Sequence, residues 1–146
     1  MTVALSAREV SKQITERFPN AVIEANDTSI LIDSSSLLNV AGFLKETPGL
    51  DFNYLNHVTA VDYCDHFEVV YLLTSIEHNH SLMLKTRCYG RDNPSLPSVT
   101  SLWRGADFQE REIYDLMGIT FEGHPNMKRI FLWKGFQGHP LRKDYL

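Results

Sequence analysis

The sequence predicts a two-layer α+β domain, with a mainly antiparallel five-stranded sheet, helices on one side and an extended C-terminal tail. Two patterns carry this expectation. Apolar residues recur at helical spacing in three segments. In five others they alternate or run unbroken, giving the order α-β-β-α-β-β-β-α. A third observation sets the tail: after Gly118 neither periodicity continues, and prolines punctuate a basic, aromatic stretch. The expected organisation is one domain over residues 1–118 and a Pro-anchored basic tail over residues 119–146.

The elements follow in order. Ser6 and Glu9 form a candidate capping box, and Val10, Ile14 and Phe18 make one stripe of a first helix that Pro19-Asn20 ends. AVIEA and SILID flank Asn26-Asp27 as a two-stranded hairpin. Ser34 to Ser36 cap a second helix with Leu37, Val40, Ala41 and Leu44 facing inward, and Pro48-Gly49 stop it. Three further strands are expected at about residues 52–63, 67–77 and 81–89.

FEVVYLLTSI is nearly all apolar, as a central strand covered on both faces would be. SLMLKTRCY instead alternates, with Leu82, Leu84, Thr86 and Cys88 on one face and Lys85 and Arg87 on the other. EHNH is the turn between them, GRDNPSLPS a loop, and DFQEREIYDLM the third helix. Asp107 and Glu110 suggest a second capping box, Asp107, Arg111 and Asp115 a charge ladder, and Gly118 the left-handed helix stop.

At 146 residues the chain can bury one sizeable core. No apolar run reaches the length of a membrane span, and MTVALSAREVSKQ lacks a secretory apolar core. The expected location is the cytosol, or a membrane periphery reached through partners. Cys64 and Cys88 have no CxxC grouping and read as buried, inert thiols; two thiolates cannot hold an iron–sulfur cluster alone. From His124 onward five cations face one acid, a net of +4, which leaves −8 on residues 1–123. The tail's cations interleave with Phe131, Leu132, Trp133 and Phe136, a density of apolar residues that wants burial against something.

Self-contained chemistry finds little support. Glu110 and Glu112 are two apart on a helix and point to different sides, poor geometry for a catalytic carboxylate pair. His57, His66, His78, His80, His124 and His139 fall in unrelated segments, with at most two ligands from the turn at His78 and His80, so no metal site is expected. In the two Gly-His-Pro turns the ring most often bonds a backbone carbonyl, which makes His124 and His139 structural pins. No GxGxxG, P-loop or GxSxG occurs. Lys128-Arg129 and Arg142-Lys143 near Trp133 and Phe136 could track a nucleic acid, but the acidic body would repel phosphates.

EREIYDLMGITFEGHPNMKRI followed by GHPLRKDY closely resembles the signature of the C-subunit family of NADH-quinone oxidoreductase, respiratory complex I. TAVDY, FEVVYLL, PSVTSLW, ERFPNAV and FLKETPGLDFNYL extend the likeness over essentially the whole chain. It departs at FLWKGFQ, where the family has acidic or Pro-containing linkers.

The resemblance implies a non-catalytic scaffold subunit of the hydrophilic arm. Flavin, iron–sulfur clusters and quinone would lie in partner subunits, chiefly the quinone-site (D-type) subunit and the Fe-S (B-type) subunit. It further implies a peripheral place on the cytoplasmic side of the cell membrane, and a tail that runs over neighbouring subunits. The interface residues then expected are Glu110, Arg111, Glu112, Asp115, His124, Arg129, His139, Arg142, Lys143 and Asp144. The same core is shared with related ferredoxin-, F420- and hydrogen-linked membrane complexes, which stand as the alternative. A free-standing binding module for nucleic acid or an acidic protein is a further one.

Overall fold

The computed structural model describes residues 3–145. The chain runs through β1 (Val3–Ala4), α1 (Ala7–Arg17), β2 (Val22–Ala25), β3 (Ser29–Ile32), a 3-10 turn at Ser34–Ser36 and α2 (Leu37–Glu46). There follow β4 (Tyr54–Asp62), β5 (His66–Ser75), β6 (His80–Tyr89), β7 (Ser95–Pro97), α3 (Ala106–Met117) and β8 (Thr120–Glu122).

The main sheet has the strand order β2-β3-β6-β5-β4, with β1 beside the start of β6. The β2–β3, β6–β5 and β5–β4 pairs are antiparallel, while β3 and β1 run parallel to β6. Each parallel join is reached by a long connection, as a hairpin cannot make one.

Alternation along the strands decides which face is covered. The cross-strand partners Phe67–Cys88, Val69–Thr86, Tyr71–Leu84 and Leu73–Leu82 are all buried, and Ile30, Ile32 and Val58 extend that layer. Val10 and Ile14 of α1, Leu37, Val40, Ala41 and Leu44 of α2, and Ile113 and Met117 of α3 join it in one core. Each of the Val, Leu, Ile and Met side chains among these contributes roughly 1.5–3 kcal/mol by leaving water.

The opposite face is only partly shielded: Val70, Leu72 and Met83 are half-buried there. The reading of FEVVYLLTSI as a strand covered on both faces holds for Glu68 and Thr74, which are buried, but not for Val70 and Leu72.

Other differences have local causes. β1, β7 and β8 are two or three residues long, too short to show a period, and β7 pairs in parallel with β8, Ser95 opposite Thr120 at a separation of 25 positions. The chain straight after Gly118 is therefore not irregular: Ile119 and Phe121 are fully buried and β8 closes a small second sheet. Ser6 occupies the N-cap of α1 without a side-chain bond, and Ser36 likewise precedes α2. In the turn before α2 the side chain that bonds the backbone is Asp33, which accepts from the Ser35 N–H. Cys88 is buried as expected and its thiol is pushed up to about 11 by burial, but Cys64 is exposed.

Candidate docking surface at the tail

Helix α3 begins at Ala106, with Gly105 before it, so Asp107 lies inside the first turn and caps nothing. Glu110, on the apolar side of the helix, is fully buried. One carboxylate oxygen accepts from Ser98 Oγ at 2.6 Å and the other from the Val99 N–H at 2.9 Å. The capping-box reading thus gives way to a tether, which ties the segment entering α3 to the helix itself. Burial raises the Glu110 pKa, and the two hydrogen bonds only partly offset that.

Asp115, also fully buried, organises the chain beyond the helix. Its Oδ1 lies 2.8 Å from Arg129 Nη1. Its Oδ2 accepts the consecutive N–H groups of Ile130, Phe131 and Leu132 at 3.2, 2.7 and 3.0 Å. Burial pushes this carboxyl up, but Arg129 and the three N–H groups outweigh it and hold it below the usual carboxylate range. Arg129 also donates from its two Nη groups to the Asp115, Phe136 and Gly138 carbonyls. A loop with no periodicity acquires a fixed shape from one acid and one base.

Among the described residues no i,i+4 ion pair links Asp107, Arg111 and Asp115 on α3, because each member looks across to the tail. Arg111 donates to the Lys128 and Arg129 carbonyls at 3.1 and 2.9 Å. His124 Nε2 donates to the Asp107 carbonyl at 3.0 Å, and His139 Nδ1 to the Asp115 carbonyl at 2.9 Å. Both Gly-His-Pro rings therefore bond backbone carbonyls, as their setting predicts. Gly118 ends α3 in the left-handed region, φ 78°, and the His139 ring packs so close that a Cβ there would lie 2.7 Å from it.

The last residues return to the end of the sheet. Asp62, buried at the end of β4, accepts both Arg91 nitrogens at 2.6 and 2.8 Å, the Cys64 N–H at 2.8 Å and the Lys143 N–H at 2.9 Å. The Arg91 guanidinium holds this carboxyl far below its ordinary range. Arg142 donates to the Arg91 carbonyl, and the Arg91 and Arg142 guanidinium groups sit 4.6 and 5.2 Å from the centre of the Phe67 ring. Asp144 closes the cluster 3.0 Å from Arg91.

The ten interface candidates thus lie along α3 and the tail, but most of their polar groups are spent inside the chain. Glu110 and Asp115 face the interior. Glu112 is half-buried beside Leu141 at a small cavity on β4.

What the pinning leaves outward are Phe108, Phe131, Trp133 and Leu141, each more than 60% exposed. A cavity of about 500 Å³ lies between α3 and the tail, lined by Tyr114, Met127, Lys128, Arg129, Leu132 and Lys134. Asp62 and Arg91 escaped the sequence reading as tail anchors: nothing near GRDNPS marks a partner 29 positions away.

The fold and site define a two-layer α+β domain whose charge-pinned tail presents aromatic and basic side chains. More specifically, the chain belongs to the respiratory-chain NADH dehydrogenase 30 kDa subunit family, whose model matches residues 30–146. The NADH-quinone oxidoreductase C subunit of Roseiflexus sp. is 38% identical over 149 residues, covering 97% of this chain and 85% of that protein. The mitochondrial NADH dehydrogenase [ubiquinone] iron-sulfur protein 3 of Candida albicans is 42% identical over 123 residues, but this chain spans only 43% of it. A solved chain of an archaeal respiratory membrane complex, the membrane-bound sulfane sulfur reductase, superposes with a TM-score of 0.77. It is 27% identical, and the match covers 94% of this chain and 84% of that one.

Proposed function

We propose that this chain is a scaffold subunit in the hydrophilic arm of a proton-translocating NADH:quinone oxidoreductase. In this reading it carries no redox group. It holds its neighbours, chiefly the quinone-site subunit and the Fe-S subunit beside it, in the register that electron transfer through Fe-S clusters to quinone requires. It sits peripherally on the cytoplasmic face of the cell membrane. Among the described residues no helix is long and apolar enough to cross a membrane, so attachment would run through partners.

The observation that carries the reading is the division of labour in the tail. Two buried aspartates, Asp115 and Asp62, immobilise its backbone, and Phe131, Trp133 and Lys134 are thereby displayed in a fixed arrangement. Ordering a segment in advance removes entropy that docking would otherwise cost. Family membership and the 38% identity to the Roseiflexus protein over nearly the whole chain support the same reading over its ferredoxin-, F420- or hydrogen-linked relatives.

The test is affinity purification of the tagged chain from gently solubilised membranes, with identification of what accompanies it. Fe-S, membrane and NADH-oxidising flavoprotein subunits are expected together. A chain recovered alone and monodisperse would overturn the assignment.

A further inference from the structure

Far from the tail, the turn between β5 and β6 meets the segment after α2. Among the described residues, Asp51, Glu77 and His78 are brought together there, with one donor atom from each lying within 4.8 Å of the others. We propose that these three side chains form a binding site for a divalent transition-metal ion of the zinc type. The sequence reading expected no metal site and named only His78 and His80 at this turn; it named neither Glu77 nor Asp51, the latter 27 positions from His78 and brought in only by the fold.

Three features argue for a metal over a surface ion pair alone. First, the donors are mixed. An imidazole nitrogen with carboxylate oxygens suits zinc-type ions, whereas calcium and magnesium take all-oxygen sets.

Second, the geometry is close to what such an ion needs. Ligand bonds of about 2.0–2.2 Å put tetrahedral donors roughly 3.3 Å apart. His78 Nε2 and Asp51 Oδ2 are 2.7 Å apart, so a modest opening of their hydrogen bond admits the ion. Glu77 is exposed, and the side chains of His78 and Asp51 are 34% and 31% exposed, so rotamer changes suffice and a water can fill the fourth position.

Third, the surroundings position two of the three donors, Asp51 and His78. The Gly49 N–H bonds Asp51 Oδ2 at 3.0 Å, and the His78 N–H bonds Ser75 Oγ at 3.2 Å. The His78 ring stacks on His80 at 5.4 Å, and His80 is itself fixed by the Leu50 carbonyl at 2.9 Å. Two carboxylates beside one imidazole leave net negative charge that a dication neutralises.

Bound metal would staple the α2–β4 connection to the β5–β6 turn, at the opposite end of β5 from the Asp62 cluster. The proposal stands apart from the subunit assignment, since it needs only this chain.

The experiment is isothermal titration of the chelator-stripped full chain with zinc chloride, repeated with cobalt chloride while visible absorption is followed. His78→Ala and Asp51→Asn are run alongside, with circular dichroism to confirm that both remain folded. One saturable equivalent is expected, with cobalt bands of low coordination number. Each substitution should weaken zinc binding by at least about tenfold, the lower end of what losing even an outer-shell partner does. Absence of saturable binding below about 1 mM zinc, or an unchanged affinity in either variant, overturns the site.

Discussion

The carboxylate of Asp115 and the guanidinium of Arg129 lie 2.8 Å apart, and the segment between them carries the turn out of α3, the strand β8 and the first Gly-His-Pro. One ion pair therefore closes a loop on its own helix, while Asp62 separately holds the last residues. Because Asp115 is fully buried and its second oxygen serves three N–H groups, the pair cannot be broken without leaving donors unpaired.

Asp115→Ala should cost on the order of 3–5 kcal/mol, the usual penalty for removing one member of a buried pair. The loss should be concentrated in the tail. Limited proteolysis would detect it as new cleavage between residues 123 and 145 while the sheet stays protected.

Gly118 tests the same joint by shape. At φ 78° a side chain is strained, and a Cβ would press within 2.7 Å of the His139 ring. Gly118→Ala should therefore destabilise by about 1–3 kcal/mol, combining a left-handed alanine with displacement of His139 from the Asp115 carbonyl. Thermal unfolding gives the magnitude. A neutral result would mean that the ring moves aside freely and pins nothing.

Acid should release the tail. Asp62 and Asp115 both titrate lower in the folded chain than the roughly 3.9 of a free aspartate. The stability they supply is thus complete above that value and is lost as pH falls below it toward their folded values. Glu110 runs the other way: its raised pKa makes protonation favour the fold, so its contribution is lost as pH rises through its folded value. Comparing Asp62→Asn with the natural chain isolates one group. The gap in Tm should be steady from about pH 7 to 5 and narrow below about pH 4. A gap that persists into strong acid would contradict the assignment of Asp62 as a charged anchor.

Much of this fold was legible because long elements repeat their pattern. Strand β6 shows Leu82, Leu84, Thr86 and Cys88 buried at alternate positions, and α2 buries the four residues its spacing names. Gly-His-Pro was legible too, since glycine permits a sharp turn and proline fixes the backbone locally. The β7–β8 pairing and the Asp62–Arg91 contact were not, for they join segments 25 and 29 positions apart with no local mark on either. The site shows the same limit. That α3 and the tail are both rich in charge was readable, whereas their pairing with each other, and which acid takes which donor, depended on a chain path that periodicity does not encode. Glu110 illustrates the point: a plausible capping partner by spacing, it bonds Ser98 and Val99 once the preceding loop folds over it.

The central claim is that the pinned tail displays a docking surface. The most direct measurement is membrane affinity purification of the tagged chain beside a Phe131→Ala, Trp133→Ala double variant. Both side chains are mostly exposed, so the variant should keep its stability to within about 0.5 kcal/mol. It should nevertheless lose the Fe-S and membrane subunits that accompany the natural chain. Equal recovery of those partners by the two proteins would contradict the account, and would place the docking surface elsewhere on the domain.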